Sequence, residues 1–130
     1  MDYLPIFYQI KQRTCLVVGG GAVAARKTSL LRKAGAEVTV VSPELCDELA
    51  QLASSNKIQH LRRAYKQEDL DNCVLVIAAT DQRDVNEQIS AQAMSRKLPV
   101  NVVDNPGLCS FVMPSIIDRS PVQIAVSVSY

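Results

Sequence analysis

Short apolar runs alternate along the chain with longer amphipathic stretches, the pattern of an open α/β sheet. The run "TCLVVGG" from Thr14 is rich in β-branched residues and ends in glycine, so it predicts a central parallel strand covered on both faces. Val23 to Ala34 reads as a helix with Val23, Leu30, Leu31 and Ala34 on one face, and Gly35 supplies its left-handed cap. "EVTVVS" from Glu37 is the second strand, which Pro43 stops ahead of a moderately amphipathic helix from Leu45 to Ala53. "IQHLRRAY" from Ile58 alternates weakly and predicts a further strand, and Gln67 to Leu70 predicts a short helical turn.

"CVLVIAAT" from Cys73 is a second strongly apolar run and therefore a second buried strand. Asp81 is placed to cap the helix that follows, with Asp84 in its first turn, and Val85, Ile89 and Ala93 form its core stripe before it ends near Lys97. "PVNVVD" from Pro99 predicts a third buried strand. "SFVMPS" and "VQIAVSVS" have strand character, and "LPIFYQI" near the start predicts an edge strand. With no repeat or linker between them, these segments predict a Rossmann-like, doubly wound α/β fold: a mainly parallel sheet with helices on both faces.

Composition narrows the picture. A chain of 130 residues, 48% hydrophobic and 21% charged, holds one compact core and is not disordered. A formal net charge of +1 gives no global field for nucleic acid or anionic membrane, so an acidic ligand must be met by local groups. No apolar run approaches the roughly 20 residues of a membrane span, and Met1 leads into Asp2 without a basic and apolar leader, so a cytoplasmic protein is expected. Cys15, Cys46, Cys73 and Cys109 are scattered, with no C-x-x-C pair, and read as buried thiols rather than a resident metal site. His60, the one histidine, reads as a half-exposed strand residue.

The chemistry concentrates at three places. Gly19, Gly21 and Ala24 fit G-x-G-x-x-A between a predicted strand and a predicted helix, the context that gives this pattern meaning. Gly19 allows the tight turn, Gly21 lets backbone approach a pyrophosphate, and Ala24 lets helix pack on strand. The amides of Gly21, Ala22 and Val23 then face the phosphates at the positive end of the helix. The competing reading is a glycine turn that holds no ligand.

In a dinucleotide fold, the acidic residue that binds the adenosine ribose lies about 20 positions on, at the end of the second strand. Ser42 holds that place, with Glu44 within reach. Val41 to Leu49 contain no Arg or Lys to neutralise a 2′-phosphate, so NAD is favoured over NADP. Ligands of open α/β sheets bind beyond the carboxyl ends of the strands, which brings Thr80 and Asp81 to the cofactor cleft, Asp81 with its cap role as the alternative. Asp104 ends "VNVVD" ahead of Asn105, Pro106 and Gly107. A carboxylate set against an apolar strand beside a nicotinamide suits general-base work near neutral pH, and ordinary turn chemistry is the competing role.

At these residues the chain resembles the N-terminal module of siroheme synthase, a family that includes stand-alone precorrin-2 dehydrogenases. The segments that carry the resemblance are "LPIF", "CLVVGGGAVAARK", "VIAATD", "NVVD" and "MPSIIDRSP" from Met113. The resemblance implies NAD-dependent oxidation of precorrin-2 to sirohydrochlorin, then, in many members, insertion of Fe²⁺ as a substrate to give siroheme. It assigns Asp104 as the base for both steps and Ala22, Val23, Pro43 and Glu44 as cofactor contacts. It also implies residues 1–113 as the NAD-binding unit, 114–130 as the start of a dimerisation and substrate region, and a homodimer in the full-length protein. The last apolar run stops at Tyr130, as in a chain cut from a longer one. The substrate carries many carboxylates, for which Arg26, Lys27 and Arg119 are candidates, a solvated charged face being the alternative for each. A dehydrogenase without the chelatase step, or a nucleotide-sensing domain without catalysis, are the other readings. The second explains the glycine turn but not "NVVD" followed by "MPSIIDRSP".

Overall fold

A computed structural model describes residues 1–128. Strands β1 (Thr14–Val18), β2 (Glu37–Val41), β3 (Gln59–Leu61), β4 (Leu75–Ala78) and β5 (Val100–Val102) form one sheet in the order β3-β2-β1-β4-β5. Every neighbouring pair in it is parallel. Helices α1 (Ala22–Lys33) and α2 (Asp47–Ser54) cover the face that carries Cys15, Val17, Val40 and Ile77. Helix α3 (Arg83–Ser95) covers the other face, against Leu16, Val18, Val76 and Val100. This is the doubly wound Rossmann-like arrangement expected, with its switch point at β1, where one crossover runs to β2 and the other side is taken by β4.

Burial on both faces explains why β1 and β4 read as unbroken apolar runs. Leu75, Val76, Ile77 and Ala78 are all buried, and each large aliphatic side chain taken out of water contributes about 1.5–3 kcal/mol. Burial also pushes the Cys15 thiol up to about 11, with Cys73 nearby adding to the shift, so Cys15 stays a protonated core thiol. Cys46, Cys73 and Cys109 are only partly buried, against the expectation that all four thiols sit in the core. Among the described residues no group of three or more His, Cys, Asp or Glu side chains is placed to hold a metal ion. No helix there is long and apolar enough to cross a membrane.

Several boundaries differ from the sequence pattern for identifiable reasons. Helix α1 buries Ala24, Ala25, Thr28 and Leu31, so of the expected face of Val23, Leu30, Leu31 and Ala34 only Leu31 is buried, and the smaller Ala24, Ala25 and Thr28 complete the face that packs on the sheet. Gly35 takes the left-handed conformation expected of it, φ +85°. Helix α2 starts two residues late, at Asp47, because the Cys46 amide is drawn to the Gly20 carbonyl at 2.7 Å. Strand β3 stops at Leu61 because Arg63 turns to grip Asp69 with bonds of 2.9 and 2.6 Å. Burial works against the Asp69 charge, but the bonds from Arg63 and the Lys66 amide outweigh it and hold the carboxyl below its usual range.

"LPIFYQI" forms no edge strand: Pro5 lacks a donor, Leu4, Ile6 and Phe7 are exposed, and Ile10 alone in this run enters the core. "SFVMPS" is not a strand either. It runs along the open edge of β5, where Ser110 N–H meets the Val100 carbonyl at 2.8 Å and Val100 N–H meets Ser110 Oγ at 2.9 Å. Past Pro114 the chain forms a separate antiparallel ribbon, β6 (Ser115–Arg119) with β7 (Val122–Val126). The expected strand "VQIAVSVS" thus ends early, and its Ser129 lies outside the described residues.

Candidate functional site

The glycine turn joins β1 to α1 at the carboxyl edge of the sheet, wedged between its two neighbouring loops. Gly19 has φ +132°, and a Cβ there would overlap the Ala79 carbonyl and come within 3.3 Å of the Thr80 amide nitrogen. Gly20 faces the other way, where a Cβ would overlap the Glu44 carbonyl and lie 2.6 Å from Ser42 Oγ. A Cβ on Gly21 would meet nothing within 4 Å. Gly21 is the N-cap of α1, makes no side-chain cap, and is followed by no acidic residue in the first turn. The first-turn amides of α1 therefore have neither an intrahelical partner nor a side-chain substitute, and the space beside Gly21 at their head is open. That donor set fits a dinucleotide pyrophosphate, and buried Ala24 packs the helix onto the sheet behind it.

The loop after β2 is braced from within. Ser42 Oγ donates to the Glu44 carbonyl at 2.6 Å, His60 Nε2 meets the Ser42 carbonyl at 2.8 Å, and the Ser42 amide donates to Leu61 O at 3.2 Å. Ser42 is buried and shapes the loop, while Pro43 and Glu44 stand exposed at its rim. His60 is the half-buried strand residue expected, with that loop as its partner.

Thr80, at the end of β4, is gripped by Asn86 from the first turns of α3. Asn86 Oδ1 accepts from the Thr80 hydroxyl at 2.6 Å, and its Nδ2 donates to the Thr80 carbonyl at 3.0 Å. Thr80 Oγ1 in turn accepts from the Gln82 amide at 3.2 Å. This corrects one expectation: Asp81 does not cap α3. Gln82 is the N-cap without a side-chain bond, and Asp81 is left exposed at the mouth of the cleft. Asp84 does stand in the first turn.

That cleft, of about 390 Å³, lies between the ends of β4 and β5 and is lined by Thr80, Asp81, Arg83, Asn86, Val102, Val103, Asp104 and Asn105. A larger one of about 490 Å³, lined by residues such as Tyr8, Asp71, Arg96 and Pro99, lies at the amino ends of the same strands, away from the glycine turn. Asp104 is exposed rather than set against apolar surface, and its backbone is left-handed, φ +61°. For a residue other than glycine that conformation costs about 1–2 kcal/mol, which neighbouring contacts must offset.

Thr80, Asp81 and Asp104 thus share one cleft, and the Gly19 backbone packs against Thr80. Arg26 and Arg119 are exposed and line neither cleft, and Lys27 is half-buried on α1. The sequence pattern passed over Gly20 and Asn86. The run of three glycines signalled the first, since a glycine motif leaves its middle position free unless packing demands it. Nothing local signalled the second, whose partner is six residues away.

Comparison with known proteins bears on this geometry. Residues 6–115 match a protein family described as "Putative NAD(P)-binding". The siroheme synthase of Thioalkalivibrio sulfidiphilus is 59% identical over 127 residues, covering 98% of this chain and 26% of the relative. That of Methylobacillus flagellatus is 56% identical, covering 98% and 27%. The chain therefore spans about a quarter of the length of these relatives. Among solved structures, the precorrin-2 dehydrogenase SirC superposes with a TM-score of 0.82 at 26% identity, over 96% of this chain and 61% of that one. The apo-structure of Escherichia coli D-lactate dehydrogenase, TM-score 0.58 at 10% identity over 79% of this chain and 32% of that one, shares the fold. The chain belongs to this NAD(P)-binding family, in the form that siroheme synthases carry as their N-terminal module.

Proposed function

We propose that this chain is the NAD-binding and proton-handling module of a precorrin-2 dehydrogenase. The observation that carries the proposal is the meeting of an uncapped glycine turn and an Asp104-lined cleft through Thr80. In this reading the amides of Gly21, Ala22 and Val23 hold the pyrophosphate, and Ser42, Pro43 and Glu44 shape and rim the ribose pocket. Bound NAD⁺ supplies a hydride acceptor. Asp104 takes the proton released as precorrin-2 loses a hydride to become sirohydrochlorin and passes it to solvent. Where Fe²⁺ then enters sirohydrochlorin to give siroheme, the same carboxylate takes pyrrole protons. Thr80 and Asp81 line the path between cofactor and substrate.

Mixing the full-length protein with precorrin-2 and NAD⁺ is expected to produce NADH absorbance, and added Fe²⁺ then to produce siroheme absorbance. NADH without siroheme would leave a dehydrogenase alone, and neither signal would overturn the reading in favour of a nucleotide-sensing domain. Calorimetry is expected to show NAD⁺ bound at least about tenfold tighter than NADP⁺, since residues 42–46 offer no cation and Glu44 repels a 2′-phosphate. Equal affinities would point instead to Arg62, exposed one residue past β3.

Residues 114–130 are proposed to begin the dimerisation and substrate region. The β6–β7 ribbon pairs only with itself among the described residues and exposes Ile117, Val122, Ile124 and Val126 on one face. A lone two-stranded ribbon is marginal in water, and such a face calls for cover, here by a second copy. Sedimentation of the full-length protein should show a dimer, which Ile117→Asp with Ile124→Asp converts to monomer. A monomeric parent at micromolar concentration would refute this.

A further inference from the structure

The Cys109 thiol sits at the centre of the loop that carries Asp104. Its Sγ lies 3.1 Å from the Val102 amide nitrogen, 3.2 Å from the Val102 carbonyl oxygen and 3.3 Å from the Asn105 carbonyl oxygen. Val102 and Asn105 are the two ends of a four-residue turn, closed by the Asn105 amide donating to Val102 O at 3.2 Å. Asp104 is the third residue of that turn, with φ +61°, a position that favours glycine. One side chain therefore accepts from the amide at the entrance of the turn and faces the carbonyls at both its entrance and its exit, to either of which its single S–H can be given.

We infer that Cys109 is a positioning residue for Asp104: its thiol clamps both ends of the Val102–Asn105 turn and so fixes where the carboxylate stands in the cleft. The inference rests on the reading of Asp104 as the base. The segment around the thiol is held by other bonds. Ser90 Oγ donates to the Leu108 carbonyl at 2.6 Å, and Ser110 is paired with Val100 through both its amide and its hydroxyl. Loss of the thiol thus loosens the turn without freeing the segment that follows it. The glycine turn packs against Ala79, Thr80, Ser42 and Glu44, whereas the thiol bonds Val102 and Asn105, so cofactor binding is expected to stay outside the clamp's reach.

The test compares Cys109→Ala with Cys109→Ser in the full-length protein, following precorrin-2 oxidation and amide hydrogen exchange. Cys109→Ala should lower kcat about tenfold, since a small misplacement of a reacting group is costly, while KM for NAD⁺ stays within about twofold. Exchange at the Val102 and Asn105 amides should speed up about tenfold. Cys109→Ser, which keeps a donor and an acceptor at the same place, should bring both readouts back to within about threefold of the parent. In an Asp104→Asn background, Cys109→Ala should cost nothing further in kcat, because the clamp acts through the carboxylate. Parental kcat and exchange in Cys109→Ala would overturn the inference. So would a tenfold loss that persists in the Asp104→Asn background. Should Asp104→Asn alone turn over at the parental rate, the base assignment fails, and the exchange rates still decide whether the thiol clamps the turn.

Discussion

Asp104→Asn in the full-length protein is expected to slow precorrin-2 oxidation by about 100-fold to 10,000-fold, the range general-base catalysis contributes. The substitution isolates the charge. Asp104 has φ +61°, and asparagine tolerates the left-handed region as well as aspartate does, so the turn and the cleft keep their shape. What is lost is the ability to take up a proton at neutral pH. The proposed pyrophosphate site lies at the start of α1 and the Asp104 turn follows β5, so NAD⁺ affinity should stay within about threefold by calorimetry. Asp104→Ala would be a poorer test, since alanine adds backbone strain to the loss of charge. Parental turnover in Asp104→Asn would reduce Asp104 to a turn residue. The search would then move to Asp81, the other carboxylate that lines the cleft.

The parts of the fold that could be read from sequence are those in which local pattern and tertiary burial agree. β1 and β4 are apolar because both their faces are covered, and the glycine motif is legible because a strand precedes it and a helix follows. Where a distant partner decides, the pattern misleads. "LPIFYQI" is apolar enough for an edge strand, but Pro5 lacks a donor and the segment pairs with no strand of the sheet. "SFVMPS" is apolar enough for a strand, yet it is fastened to β5 partly by side chains, Ser110 Oγ to the Val100 amide and Asn101 Nδ2 to the Phe111 carbonyl at 3.1 Å. The same holds in the site. Asp104 is legible from its place at a strand end, but the side-chain bonds that hold Thr80 and the Asp104 turn come from Asn86 and Cys109, neither of which carries a motif. Asp81 shows the converse: an acidic residue just before a helix suggests a cap, and the Thr80 hydroxyl meets the Gln82 amide instead.

Two glycines of the turn should fail in opposite ways when replaced, and the contrast separates a ligand site from a structural turn. Gly19→Ala meets the Ala79 carbonyl and must also adopt φ +132°, so it should unfold more easily, with Tm lower by on the order of 10 °C and cofactor binding lost alongside. Gly21→Asp meets nothing within 4 Å, and it places a good N-cap residue with a negative charge at the start of α1, where the helix has no side-chain cap. Its Tm should therefore equal or slightly exceed that of the parent. The same carboxylate would occupy the space and the amides that the pyrophosphate needs, so NAD⁺ affinity should fall by about 100-fold or more. Thermal unfolding and calorimetric titration on both variants decide the matter. Undiminished NAD⁺ binding in Gly21→Asp would show that the open space before α1 is not where the phosphates lie. If Gly21→Asp instead loses stability together with binding, the position is structural, and the uncapped amides lose their claim as a ligand site.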